Sequence, residues 1–156
     1  MRGGGSFDID FEVPRLRERA FQEAMRDHGL PVREDWSAFG DFRFATSRTS
    51  ALEMLADPAD RPTAVFCSSD EMAFGVLKAA AELGVAVPDE LSVIGIDDHE
   101  FSDPMGLTTI RQDPEDQGAY AADLLLGELL RNEPADYPPS RPHTLVVRGT
   151  TGPARA

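Results

Sequence analysis

The stretch that most restricts this chain is Leu91-Ser92-Val93-Ile94-Gly95-Ile96, an almost wholly apolar run that stops at two adjacent aspartates, Asp97 and Asp98. A strand with one wet face alternates apolar and polar side chains. This run does not alternate, so both of its faces need cover. A second run of the same kind, PTAVFCSS at 62–69, lies upstream, and LTTIRQ at 107–112 and HTLVVRGTT at 143–151 read as further short strands.

The stretches between these runs have helical period. In PRLRERAFQEAMRDHGL, Pro14 suits a first turn, while Leu16, Ala20, Phe21, Ala24 and Met25 form one apolar stripe and Gly29 suits the C-terminal cap. TSRTSALEMLAD is a second amphipathic helix, closed by Pro58, and DEMAFGVLKAAAELG a third. Ser68 and Glu71 have capping-box spacing at the start of that third helix, and Gly84 ends it. DPEDQGAYAADLLLGELLRNE is a fourth, with Ala122, Leu125, Leu126 and Leu129 on its apolar face, before the proline-rich turn YPPSRP. MRGGGS at the start reads as disordered, and no internal repeat is present. Helices alternating with doubly buried strands predict an α/β fold, a parallel sheet flanked by helices on both faces. Such sheets build their sites beyond the carboxyl ends of the strands, where Asp97, Asp98, Ser69 and Asp70 fall.

Composition narrows the chemistry. The 156 residues allow one domain with a reasonable core, and 28 acidic against 15 basic residues give a net charge of −13. Nucleic-acid affinity comes from neutralising phosphates, so this chain by itself is a poor DNA or RNA binder. Cys67 is the single cysteine, and His28, His99 and His143 lie in no metal-ligand spacing. No stretch reaches 18 apolar residues and the start has no secretory pattern, which predicts a cytoplasmic protein with no membrane contact.

Paired acids at a strand end can hold Mg²⁺ in phosphate-transfer proteins of this topology. Lys78, the sole lysine, lies mid-helix, and no phosphate-cradling glycine loop or nucleophilic triad spacing is present. The reading is therefore of a protein without catalytic residues, metal or cofactor. Without metal, a carboxylate accepts hydrogen bonds from ligand hydroxyls or N–H groups, an arginine supplies a rigid fork of donors, and an aromatic ring covers an apolar ligand face. Arg15, Arg17, Phe42 and Phe44 are the candidates beside the acids.

PTAVFCSSDEMAFGVLKAAAELGVAVPDELSVIGIDDHEF followed by LTTIRQDPEDQG resembles the effector-binding core of LacI/GalR-family transcriptional regulators; VPRLRERAFQEAM, GDFRF and HTLVVRGTT are similar to that family in the same order. The resemblance runs from about Phe11 to Thr151. It implies a periplasmic-binding-protein-like fold comprising mostly the C-terminal lobe of a two-lobed effector domain, in a chain truncated so that it has neither a helix-turn-helix nor a hinge. The implied organisation is 1–10 a disordered or truncated start, 11–111 the C-terminal lobe, 112–142 a helix and turn that pack on the other lobe, 143–151 a returning strand and 152–156 a tail.

The implied ligand-binding residues are Arg17, Phe42, Ser69, Asp97 and Gln112. Arg17 would donate to the ligand, Phe42 stack on it and Asp97 accept from it. Ser69 would occupy a position where the family often has asparagine, and Gln112 would line the cleft or hinge. The implied ligand is a sugar-like effector. The implied partners are a second copy of the chain, through the helix from Glu71 to Leu83 and the segment 101–106, and DNA only through a helix-turn-helix absent here. A free-standing sugar-binding protein of a transporter, or a Mg²⁺-dependent phosphate-transfer protein, are the alternatives. The other polar candidates read as structural: Asp98 as a turn or cap residue, Asp70 as a charge at its helix N-terminus, and Arg15 and Arg19 as solvated. Phe44, Cys67, Met72 and Phe74 read as packing.

Overall fold

In a computed structural model, residues 12–131 and 143–154 are described. Helix α1 (Val13–Asp27) is followed by a single 3-10 turn (Glu34–Trp36), α2 (Phe44–Met54), β1 (Ala64–Phe66), α3 (Asp70–Leu83), β2 (Ser92–Asp97) and β3 (Thr108–Arg111). Helix α4 (Pro114–Leu126) continues into a wider turn (Gly127–Arg131), and β4 (Thr144–Val146) closes the order. The expectations for MRGGGS and for YPPSRP fall outside the described residues.

The strands lie in the order β1-β2-β3-β4. β1 and β3 run parallel to β2 on its two sides, as the unalternating apolar runs require. β4 departs from the expected parallel sheet: it pairs antiparallel with β3, Ile110 opposite Leu145. It is a return strand after α4, so its direction is set by the chain doubling back.

Successive side chains of a strand face opposite sides, and the two sides here differ. Val65 and Val93 point into the main core with Met72, Ala73, Val76, Ala79 and Ala80 of α3 and Ala51 of α2. Helices α2 and α3 come close because Gly75 has no Cβ; one placed there would lie 2.6 Å from Phe44 O. On the other side the Phe66 ring stacks on Phe21 of α1 with centroids 5.4 Å apart. A groove of about 780 Å³ lies along this side, lined by Phe21, Met25, Trp36, Phe66 and Ile94 among others. Helix α4 buries none of its residues, and Leu125, Leu126, Leu129 and Leu130 are all exposed.

The helix ends follow local chemistry. Gly84 takes a left-handed φ of 70° at the end of α3, where its N–H bonds back to Ala81 O. The N-cap of α3 is Ser69, whose Oγ accepts from Met72 N; the capping-box spacing pointed to Ser68, one residue early. Glu71 instead turns its carboxylate to the first turn of α2 and accepts from Phe44 N. Cys67, Met72 and Phe74 are buried as expected, whereas Phe44, expected in the core, is 39% exposed at the start of α2. No described helix is long and apolar enough to cross a membrane.

Candidate functional site

The carboxyl ends of β1, β2 and β3 meet the N-terminal part of α1 at one rim of the sheet. β2 delivers Asp97 there, and Asp97 and Asp98 leave ordinary strand geometry, with φ 132° and 58°. Non-glycine residues at positive φ cost of order 1–3 kcal/mol each and persist where surrounding contacts hold them.

The contacts at Asp97 are specific. Gln112, just past β3, donates its backbone N–H to Asp97 O at 3.3 Å and its side-chain Nε2 to Asp97 Oδ1 at 3.1 Å. Arg17, one turn into α1, places its guanidinium 3.9 Å from Oδ1 and donates to Ser68 O. Arg17 is mostly buried and Asp97 is 44% exposed, so the carboxylate opens to solvent while its cation is held from behind. Burial pushes the Asp97 carboxyl above the ordinary carboxylate range, against the pull of Arg17. Burial likewise lowers the Arg17 guanidinium from its usual value, with Asp97 opposing.

Asp98, the neighbour, has a different role. Its side chain is 9% exposed and bridges two arginines, accepting from Arg111 Nε at 2.6 Å and Arg148 Nη2 at 2.8 Å. Burial acts to raise its carboxyl, but the two arginine hydrogen bonds outweigh that and hold it below the usual range. Asp98 was expected as a turn or cap residue; it has a left-handed φ of 58° but caps no helix, and its structural role is the arginine bridge, with Arg148 50 residues away in sequence.

Asp70 opens α3, as expected of a charge at a helix N-terminus, and it is also 1% exposed. Oδ2 accepts from Ser102 Oγ at 2.6 Å and from His99 N at 2.9 Å, and Oδ1 accepts from Thr109 Oγ1 at 2.6 Å. Gly95 makes this possible: a Cβ there would stand 2.1 Å from Asp70 Oδ1. Asp70 thus cross-ties α3, the loop after β2 and β3. No sequence pattern marks this set beyond the apolar strand's single glycine.

The structure therefore brings Arg17, Asp97 and Gln112 together. Ser69 follows the Ser68 carbonyl that Arg17 holds at the β1 end, but it is 5% exposed and its hydroxyl oxygen is engaged in capping. Phe42 occupies a left-handed turn with Asp41, φ 52° and 51°, and its half-buried ring packs on the main core. Among the described residues, no group of three or more His, Cys, Asp or Glu side chains is placed to hold a metal ion. A cation at the acid pair would have to displace two arginines from Asp98.

Comparison with known proteins gives a consistent picture. Residues 6–151 match the periplasmic binding protein-like domain. The HTH-type transcriptional repressor PurR of Photorhabdus laumondii is 38% identical over 117 residues, a match covering 73% of this chain and 34% of that protein. A regulatory protein of the LacI family from Chloroflexus aggregans superposes with a TM-score of 0.84 at 28% identity, over 94% of this chain and 53% of that one. A LacI family transcriptional regulator from Lactobacillus casei with bound sucrose gives a TM-score of 0.77 at 31% identity, over 96% and 55% of the two chains. The chain thus spans about a third of the length of the curated relative and about half of the solved chains.

Proposed function

The chain belongs to the periplasmic binding protein-like domain family, in the group of LacI- and PurR-type regulators, and from that premise we propose that it contributes one wall of an effector site for a small neutral polyol such as a sugar. The observation that carries this reading is the rim trio: a half-exposed Asp97 carboxylate, Arg17 behind it and Gln112 beside it. One cation is matched by one carboxylate, so the wall offers hydrogen bonds in both directions without net charge, which suits hydroxyl groups better than phosphates. The sucrose held by the Lactobacillus casei relative is in keeping with this.

In this reading Asp97 accepts from ligand hydroxyls, Arg17 and Gln112 donate, and Phe42 covers an apolar ring face after leaving its perch on the core. Ser69 contributes little, because its oxygen already caps α3. Residues 11–111 form the lobe, and the arm from 112 to 142 lays its leucine stripe on a second lobe. Ligand then favours one arrangement of the two lobes, which is the only way its binding can bias anything downstream. The protein acts in the cytoplasm, without catalysis, as part of a homodimer. Phe101 and Met105, 55% and 46% exposed, form the pairing surface with Leu83 of α3. DNA is reached through a helix-turn-helix of the same regulator.

The test is a two-dimensional amide NMR titration of the chain with sucrose, glucose, glucose phosphate, nucleosides and Mg²⁺, with Asp97→Ala as control. Shifts centred on residues 97–98, 112 and 17 with a neutral sugar are expected. The variant should bind it roughly ten- to a hundredfold more weakly, the loss of one charged hydrogen bond of about 1.5–3 kcal/mol. Saturable Mg²⁺ binding at the acid pair, with no response to any sugar, would overturn the reading in favour of phosphate chemistry.

A further inference from the structure

Three groups outside the rim trio invite a role: the groove along α1, the exposed leucines of α4, and the buried bridge at Asp98. The bridge is the one whose geometry acts on something specific. Asp98 holds together Arg111, at the end of β3, and Arg148, two residues beyond β4. Arg148 is itself fixed: its Nη1 donates to Leu107 O at 2.8 Å and its backbone N–H to Thr108 Oγ1 at 2.9 Å. The backbone N–H of Asp98 donates to Thr109 Oγ1, the same hydroxyl that donates to buried Asp70. Side chain and main chain of one residue are thus pinned to both strands that connect to α4.

The residue before it is the exposed acceptor. Asp97 and Asp98 share a corner at φ 132° and 58°, an arrangement that relaxes unless something holds it. At Asp97 itself the holding contacts include Gln112, a backbone hydrogen bond from Asp70 and the strand pairing with Arg111, with Arg17 at the long distance of 3.9 Å. The firm anchor of the corner is the two-arginine bridge one residue on.

We propose that Asp98 is a positioning residue: clamped by Arg111 and Arg148, it sets the backbone corner that aims the Asp97 carboxylate at Gln112 and at the open rim. Because the clamp sits where β3 leaves for α4 and β4 returns from it, a movement of that arm reaches the acceptor through Asp98. This rests on the effector reading for its purpose, but its test needs no effector.

The experiment follows the ligand-free chain by NMR in Asp98→Asn and Arg111→Lys. Asparagine keeps the shape and the tolerance of left-handed backbone but removes the charge; lysine keeps the charge and removes the forked donor. In Asp98→Asn the Asp97 Cα and Cβ resonances are expected to move toward extended-strand values and the Gln112 side-chain amide signals to lose their hydrogen-bonded shift. Arg111→Lys is expected to move the same signals in the same direction by less. A fall in the urea midpoint with Asp97 and Gln112 signals unchanged would show that the bridge only holds the fold, and would overturn the proposal. Should Asp98→Asn fail to fold, Arg111→Lys decides it alone, since Arg111 is half exposed and its loss leaves Arg148 in place; unchanged signals there overturn the proposal equally. Sugar titrations that fail while these signals move as expected would count against the effector reading and leave the positioning role standing.

Discussion

Helices α3 and α4 have similar lengths and both were legible as helices in the sequence, yet they occupy opposite physical situations. α3 buries eight of its fourteen residues against α2 and the sheet, with Asp70 tied into the strands at one end and Gly84 closing the other. α4 buries none, makes no extensive contact with any other described α-helix or strand, and together with the turn that follows it faces four leucines outward. A stripe of that kind costs solubility unless it is covered. The difference separates stability from assembly: α3 belongs to what makes this chain fold, and in the proposed two-lobed arrangement α4 belongs to what it packs against.

The comparison can be broken most easily at its strong side. Met72 is 0% exposed, within the first turn of α3 and at the centre of the core. Met72→Ala is expected to cost about 3 kcal/mol, the usual loss for emptying such a site, read as a lower urea midpoint with unchanged slope. A loss under about 1 kcal/mol would mean that the α2–α3 side is looser than its burial indicates.

At the weak side stability should barely respond. Leu129 is 69% exposed, so Leu129→Glu is expected to alter unfolding by less than about 0.5 kcal/mol. The same change should reduce self-association, with the mass by light scattering falling from larger species toward the dimer that Phe101, Met105 and Leu83 support. If the unaltered chain is already a strict monomer at high concentration, the leucine stripe is not seeking a partner and the contrast between the two helices loses its meaning.

How much of this the sequence disclosed varies by element. Helices α1, α3 and α4 and the three parallel strands were readable because each obeys a local rule, an apolar period or run, a first-turn proline or a terminal glycine; α2 shows little apolar period and begins at Phe44, ahead of the stretch expected from the sequence. The antiparallel return of β4 was not, since three residues at an edge carry no signal of direction. At the site, Asp97 was readable as an acid at the end of an apolar run. That Arg17 and Gln112 converge on it was reachable only through family resemblance, because the residues involved are 80 and 15 positions away along the chain. The burial of Asp70 and the bridging of Asp98 were missed for the same reason: Ser102, Thr109 and Arg148 are ordinary residues until the sheet assembles them. Phe44 was misread because an aromatic beside a helix start resembles core in sequence, whereas its backbone is what meets α3.

The smallest expected effect concerns the adjacent acids, which should respond to pH with opposite signs. The Asp97 carboxyl is raised in the folded chain, so the folded state holds that proton more tightly than the unfolded one. Its contribution therefore becomes unfavourable as pH rises from the ordinary carboxylate range through the raised value, and stays so at neutral pH. Asp98 is lowered, so its contribution is favourable at neutral pH and is lost as pH falls through the depressed value. Asp97→Asn should leave the urea midpoint at pH 7 equal to or slightly above the unaltered chain, with the difference closing below about pH 4, where the Asp97 carboxyl approaches neutrality in the folded and the unfolded state. Asp98→Asn should lower it at pH 7, again with the gap closing in acid. Asparagine keeps the size of the side chain and its tolerance of left-handed backbone, so Asp97→Asn tests the charge, whereas Asp98→Asn also releases the corner. Were Asp97→Asn to destabilise the chain at neutral pH as much as Asp98→Asn, Asp97 would be a structural partner of Arg17, and the rim would have no carboxylate held at a cost for a ligand to use.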